Sequence, residues 1–279
     1  ILNSFSYLFS ANIMIQFIGI FTLSYFTRIF SASDIALIPT SMMLGGISTL
    51  IFNFGVFPYI IKYIPTLKKK NIKEASRILY TCFLLILLSS VIYSSITFYI
   101  SNYISIWIFS TSSYSLHIKY LSIGFIFFGL FSFLNHTLKS LNQFKLSSKI
   151  SILKNIIKAL STILLYFYGY GAWSIVYAFI ISNSISFLLL LYGIYNSGIR
   201  FYGFANIFDI ISESYPFYIE AYVNYIKNQG DSLIVTSLLG SNSLVIYYIS
   251  KKIYLFLYNS FSSLSIILKT ELSSLIDDV

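Results

Sequence analysis

Leu79-Tyr-Thr-Cys-Phe-Leu-Leu-Ile-Leu-Leu-Ser-Ser-Val-Ile-Tyr-Ser-Ser-Ile-Thr-Phe-Tyr-Ile100 is a run without a single charge, set directly after Lys68-Lys-Lys-Asn-Ile-Lys-Glu-Ala-Ser-Arg77. A hydrocarbon core about 30 Å thick needs roughly 20 helical residues per crossing. The run therefore predicts a membrane-spanning helix with a basic entrance. Working outward, apolar runs of comparable length recur at 4–27, 35–61, 118–138, 151–169, 172–195, 214–239 and 244–268. Together they predict an all-α, polytopic helical membrane protein with about eight crossings.

Composition agrees: the 279 residues are 57% hydrophobic and only 10% charged, with 27 Phe and 25 Tyr against 4 Pro. A soluble core could not bury that fraction of apolar side chains. Cys82 is the lone cysteine, so no disulfide forms within the chain, and it reads as a packing residue. The chain opens on Ile1 and stops at Val279 just after a crossing. On that ground we expect a piece of a longer protein.

The basic residues set the threading. Lys62, Lys68, Lys69, Lys70, Lys73 and Arg77 follow the second span, and Lys139, Lys145, Lys149, Lys154 and Lys158 follow the fourth. With Arg200 and Lys269 they fall on one membrane side, while Arg28 and Lys119 sit at the margins of the other. The positive-inside rule makes 62–78 and 139–158 cytoplasmic loops of a plasma-membrane protein. Lys154 and Lys158 then snorkel from the end of span five. The net charge of +9 is spread as topology signals beside helices, which excludes nucleic acid as a partner. The outer segment 101–117, with Trp107, reads equally well as an interfacial helix or as the end of span three.

Polar groups inside spans point to function, because a charged side chain at bilayer depth costs at least about 2.5–3.5 kcal/mol on insertion scales. Glu220, Asn224, Lys227 and Asp231 are spaced to share one helical face. That face either neutralises itself through Lys227 and Asp231 or lines a cavity. Asp231 lies nine residues before Gly240 and Lys251 eight after Ser243. An antiparallel hairpin would bring the two to the same depth, with Lys252 left as surplus positive charge suited to an anion. Asn12, Gln16 and Arg28 form a milder stripe on span one. Helix–helix hydrogen bonding and ligand binding both account for Asn12 and Gln16, and Arg28 either snorkels or turns inward as an anion clamp. Gly45, Gly46 and Asn53 in span two allow close packing or line a cavity. His117 and His136 stand alone, with no ligand spacing for a metal, and no glycine-rich phosphate loop is present. No cofactor is expected.

Several segments resemble the polysaccharide (O-antigen) flippases of the multidrug, oligosaccharidyl-lipid and polysaccharide exporter superfamily. They are Tyr25-Phe-Thr-Arg28-Ile-Phe-Ser-Ala-Ser-Asp34, Asn53-Phe-Gly55 through Tyr63-Ile-Pro65, Gly169-Tyr-Gly171-Ala-Trp173, and Asn224–Asp231 followed by Ile246–Lys251. Asp34-Ile-Ala36 departs from the family, which places a glycine soon after the acid. The resemblance implies two six-helix lobes around a central cavity, so 1–200 would be the first lobe and 201–279 the start of the second. A weak repeat agrees: Ser31–Ile35 and Gly240–Leu244 join corresponding spans.

The function this implies is flipping of a polyprenyl-linked oligosaccharide across the bilayer by alternating access, without catalysis, and with a proton or sodium gradient as possible drive. Asn12, Gln16, Arg28, Glu220, Asn224, Lys227, Asp231, Lys251 and Lys252 are the candidate substrate-binding residues. Two other readings stand beside it: a cation-coupled multidrug exporter of the same superfamily, which would favour acidic cavity residues, and a membrane glycosyltransferase or glycan polymerase, which would carry catalytic groups in large outer loops.

Overall fold

The computed structural model describes the backbone of residues 2–275 and the side chains of 6–50, 53–252 and 254. The Lys269 side chain, the side chains ending the eighth expected span, and residues 276–279 lie outside the described residues. Every regular element among the described residues is helical, and the protein is multi-pass. Helix α1 (Leu2–Ile29) is followed by the single turn α2 (Ala32–Ile35), capped where the Ser31 hydroxyl accepts from the Asp34 N–H.

The second expected span is broken in its middle. Helix α3 (Leu37–Phe52) stops at Asn53, and α4 (Val56–Lys70) starts after Phe54 and Gly55, at φ 50° and 74°. Glycine takes such a φ without steric cost, so the break falls where the sequence offers one. Asn53 Oδ1 accepts from the Phe57 N–H at 3.2 Å, satisfying one of the donors that starting a new helix exposes.

Helix α5 (Ile72–Tyr99) begins one residue later, with Asn71 Oδ1 capping the N–H groups of Lys73 and Glu74. The stretch 62–78 is therefore not a loop, because its lysines ride on two helix ends. The expected loop 139–158 needs a larger correction. Helix α7 (Ser115–Ser140) ends only three residues before α8 (Phe144–Leu165) begins, so Lys145, Lys149, Lys154 and Lys158 are all helical. Reading those lysines as solvated placed the start of the fifth span too late.

Between α5 and α7 the short α6 (Ser101–Phe109) buries Ile104, Ser105, Ile108 and Phe109 while exposing Tyr103, Ile106 and Trp107. It is a separate amphipathic helix, not the frayed end of α5. A π-turn, Tyr166–Tyr170, ends α8, and Gly169 and Gly171 at φ 85° and 50° reverse the chain into α9 (Trp173–Asn196). Helix α10 (Ile207–Tyr225), a second π-turn (Ile226–Gly230) and α11 (Asp231–Leu275) complete the described residues, with a non-helical break inside α11 at Gly240.

Six helical runs are long and apolar enough to cross a bilayer, one of them counted unbroken from Ile207 to Lys252. That run folds back at Gly240, and α3 with α4 covers the remaining crossing, so eight crossings are compatible with the structure. In lipid, packing rests on close van der Waals fit more than on the hydrophobic effect. Gly45 lies beneath Phe128 of α7 and Gly46 beneath the Tyr225 ring of α10, which favours packing over a cavity lining for this pair. The buried core divides in two. One cluster, around Met43, Phe125 and Ile175, lies toward the Gly169–Gly240 side, and the other, around Ile60, Cys82 and Phe133, lies toward the lysine-rich side.

Candidate functional site

Asp231 and Lys251 are 20 residues apart, a separation that would hold them about 30 Å apart in a continuous helix. Yet Lys251 Nζ stands 2.6 Å from Asp231 Oδ1, so the two limbs of α11 form an antiparallel hairpin about Gly240. The Lys251 side chain is 6% exposed and that of Asp231 36%. Tyr247 donates its hydroxyl to Asp231 Oδ2, the Ser232 N–H donates to Oδ1 at 2.7 Å, and Lys251 also donates to the Asn228 carbonyl. An ion pair with one partner buried holds best when its spare lone pairs and protons are satisfied, and these extra bonds do that.

Lys252, the next residue, turns the other way. A Cβ on Gly19 of α1 would meet its Nζ at 3.1 Å, and the ammonium lies 5.2 Å from the Tyr248 ring centroid. It shares a cavity of about 50 Å³ with Lys158, Asn155 and Thr22. An adjoining cavity of about 150 Å³ is lined by Lys154, Asn155, Lys158, Phe131 and Asn183.

Lys154 and Lys158 thus do not snorkel. They sit about 15 and 21 Å along α8 from its start, at 1.5 Å per residue. Their heads turn inward onto rings: Lys154 Nζ is 3.6 Å from the centroid of Phe131 and 5.3 Å from that of Phe128, and Lys158 Nζ is 5.8 Å from Phe179. Sequence reasoning missed the inward orientation of this pair. Its signal was present, because Ser147, Ser151, Lys154, Lys158 and Thr162 recur at helical spacing along one face, while Leu153, Leu160 and Leu164 are exposed on the other.

The remaining candidates scatter. Gln16 is buried on α1 with Oε1 lacking a hydrogen-bond partner, Asn12 is half-buried one turn away, and Arg28 is exposed at the last turn of that helix. On α10, Glu220 is half-buried and Asn224 exposed; Lys227, in the π-turn, is exposed too. A π-turn widens the helix and rotates the residues beyond it by about a quarter turn relative to a regular α-helix. Asp231 therefore leaves the face that even spacing assigned it, and it meets Lys251 as the expected hairpin allowed.

A larger cleft, about 870 Å³, opens at the lysine-rich end between α4, α5 and α10, lined by Tyr59, Lys70, Arg77, Asp209 and Glu213 among others. At its inner edge Tyr59 donates to Glu213 Oε2 at 3.0 Å, and Ser214 Oγ donates to the Phe54 carbonyl at 2.7 Å, joining the α3–α4 break to α10. At the opposite membrane side Asp34 accepts from Ser31 Oγ at 2.7 Å and from the Tyr114 hydroxyl at 2.8 Å. Burial pushes the Tyr114 pKa above its ordinary value, so Tyr114 stays a neutral donor. His117 stacks on Trp173 and His136 on Phe57. Among the described residues no group of His, Cys, Asp and Glu could hold a metal ion.

A family model described as polysaccharide biosynthesis protein matches residues 25–279. In three dimensions the chain is similar to a mutant of the Vibrio cholerae MATE transporter VcmN, with TM-score 0.74 and 10% identity over 98% of this chain and 65% of that one. It is also similar to the eukaryotic MATE transporter AtDTX14, with TM-score 0.70 and 16% identity over 98% of this chain and 66% of that one. At such identities the likeness is one of fold. The chain spans just under two thirds of the length of these structures. No curated protein matches the sequence significantly.

Proposed function

We propose, since the chain belongs to the polysaccharide biosynthesis protein family, that it moves a lipid-linked oligosaccharide from the cytoplasmic to the outer leaflet of the cell membrane during assembly of a surface polysaccharide. A sugar head bearing pyrophosphate cannot cross hydrocarbon unaided, because its hydroxyls and charges would lose water without replacement. A polar interior supplies the replacement, and cations in it favour the phosphates.

The observation that carries this reading is Lys252. Its neighbour Lys251 is neutralised by Asp231, whereas no carboxylate lines the cavity that Lys252 shares with Lys158 among the described residues. Lys252 and Lys158 are thus left without a carboxylate in that cavity, where α11 meets α1. Lys227 and Arg28 would add positive charge along the path, and Asn12, Gln16, Glu220 and Asn224 would bond sugar hydroxyls or bind the coupling proton or sodium ion.

In this reading 1–200 forms one lobe, and α10 with α11 begins the second, rocking against α1 and the broken α3–α4 pair while the lipid tail stays in the bilayer. The lysine-rich helix ends would then face the cytoplasm, the side that the positive-inside rule favours for them. A drug exporter coupled to cations could share the fold, but an excess of lysine over carboxylate suits an anionic cargo better. Asp34, the outer-side acid that a glycan polymerase would need, is occupied in binding Ser31 and Tyr114, which supports a structural job for it. The test is Lys252→Ala, which leaves the Asp231–Lys251 pair intact. Export of the glycan should fall at least about tenfold at unchanged protein abundance, and normal export would remove Lys252 from the path.

A further inference from the structure

Lys154 and Lys158 place two ammonium groups one helical turn apart inside the first six spans, and no carboxylate lines either adjoining cavity among the described residues. The rings of Phe131, Phe128 and Phe179 attract ammonium groups, but each contact is worth only about 0.5–2 kcal/mol. Placing each charge there costs at least about 2.5–3.5 kcal/mol before the two repel one another. Rings alone leave the account open, and an anion would close it.

The remaining groups fit an anion with bound protons or water. Asn155 lines both cavities, and Asn183, 1% exposed, presents an Oδ1 without a hydrogen-bond partner beside the larger one. That oxygen can accept from an ion's own hydroxyl or from a water it carries. Size decides what kind of anion. A water molecule takes a share of about 30 Å³ in the liquid, and pockets for drug-sized ligands run to about 300–1,000 Å³. Cavities of about 50 and 150 Å³ match a small ion with a few waters better than a sugar.

We propose that these cavities hold a small inorganic anion, of phosphate size or less, between Lys154 and Lys158, with Lys252 of α11 capping the mouth. Lys252 is shared with the proposed glycan path, whereas Lys154 and Lys158 belong to the small-anion site alone. Because two of the lysines come from α8 and the third from α11, occupancy favours the arrangement in which α11 lies against α1. Loss of the ion would release that contact.

The test uses the purified protein in nanodiscs of zwitterionic lipid, with radiolabelled chloride and inorganic phosphate as probes and a polyprenyl pyrophosphate in a third arm. At least one inorganic ion should bind saturably, near one per protein. Lys154→Met/Lys158→Met should weaken that binding about tenfold or more with the melting temperature retained. Should the double variant fail to fold, Lys252→Met serves instead, with an expected loss of about threefold. Equal binding in wild type and variants, absence of saturable binding, or binding of the polyprenyl lipid alone would each overturn the proposal. No glycan is present in this measurement, so its failure and that of the translocation reading are separable.

Discussion

Gly55 sits so close to Ser214 that a Cβ placed on it would stand 2.1 Å from the Ser214 carbonyl oxygen and 2.8 Å from the Tyr218 nitrogen. Backbone meets backbone there, and neither side can swing away as a flexible side chain would. The break in the second span is thus also a point of close backbone approach between α10 and the first six spans. Gly55→Ala adds a collision to the strain of φ 74° and should destabilise this contact by about 1–3 kcal/mol. Gly203→Ala, at φ 96° with nothing within 4 Å, incurs the backbone strain alone. Melting curves of the two variants in detergent should show the larger loss for Gly55→Ala, and equal losses would contradict the close approach.

Asp231→Asn removes the charge opposite a nearly buried ammonium. Breaking a fully buried pair from one side costs about 3–5 kcal/mol, because the survivor is left uncompensated; with Asp231 36% exposed, the loss here should fall below that range. Asp231→Asn/Lys251→Met removes both charges and should recover more than half of that loss. A double-mutant cycle on thermal stability reads the coupling directly. Additive effects of the two changes would mean that the hairpin about Gly240 does not bring these residues together.

Topology is open to chemical labelling, because the native Cys82 is buried and should stay silent. Tyr168→Cys lies in the π-turn at a position 80% exposed, and Lys69→Cys sits at the end of α4. An impermeant maleimide added to intact cells should modify Tyr168→Cys and spare Lys69→Cys until the cells are opened. The reverse pattern would invert the orientation assigned from the lysines.

The crossings were legible in the sequence because hydrocarbon thickness imposes a length on apolar runs, and 79–100 meets it without ambiguity. The turn at Gly240 was legible for a similar reason, since a glycine between two apolar runs marks where the chain can reverse. What escaped were features that depend on neighbours. Lys154 and Lys158 read as a solvated end because a lysine's default is water, and only Phe128, Phe131 and Phe179 from α7 and α9 turn them inward. The face assigned to Glu220, Asn224, Lys227 and Asp231 assumed an even 3.6-residue winding that the π-turn at Ile226–Gly230 interrupts. The division of the second span into α3 and α4 could be anticipated from Gly55 only with knowledge that α10 passes beside it.

The most direct measurement reconstitutes the purified protein into vesicles holding a fluorescent lipid-linked oligosaccharide in both leaflets, and tracks how fast an impermeant quencher gains access to the inner pool. Wild-type protein should allow quenching of nearly all the lipid, and Lys252→Ala should lower the rate about tenfold or more. Quenching that stops at the outer pool with wild type, as in protein-free vesicles, would contradict translocation.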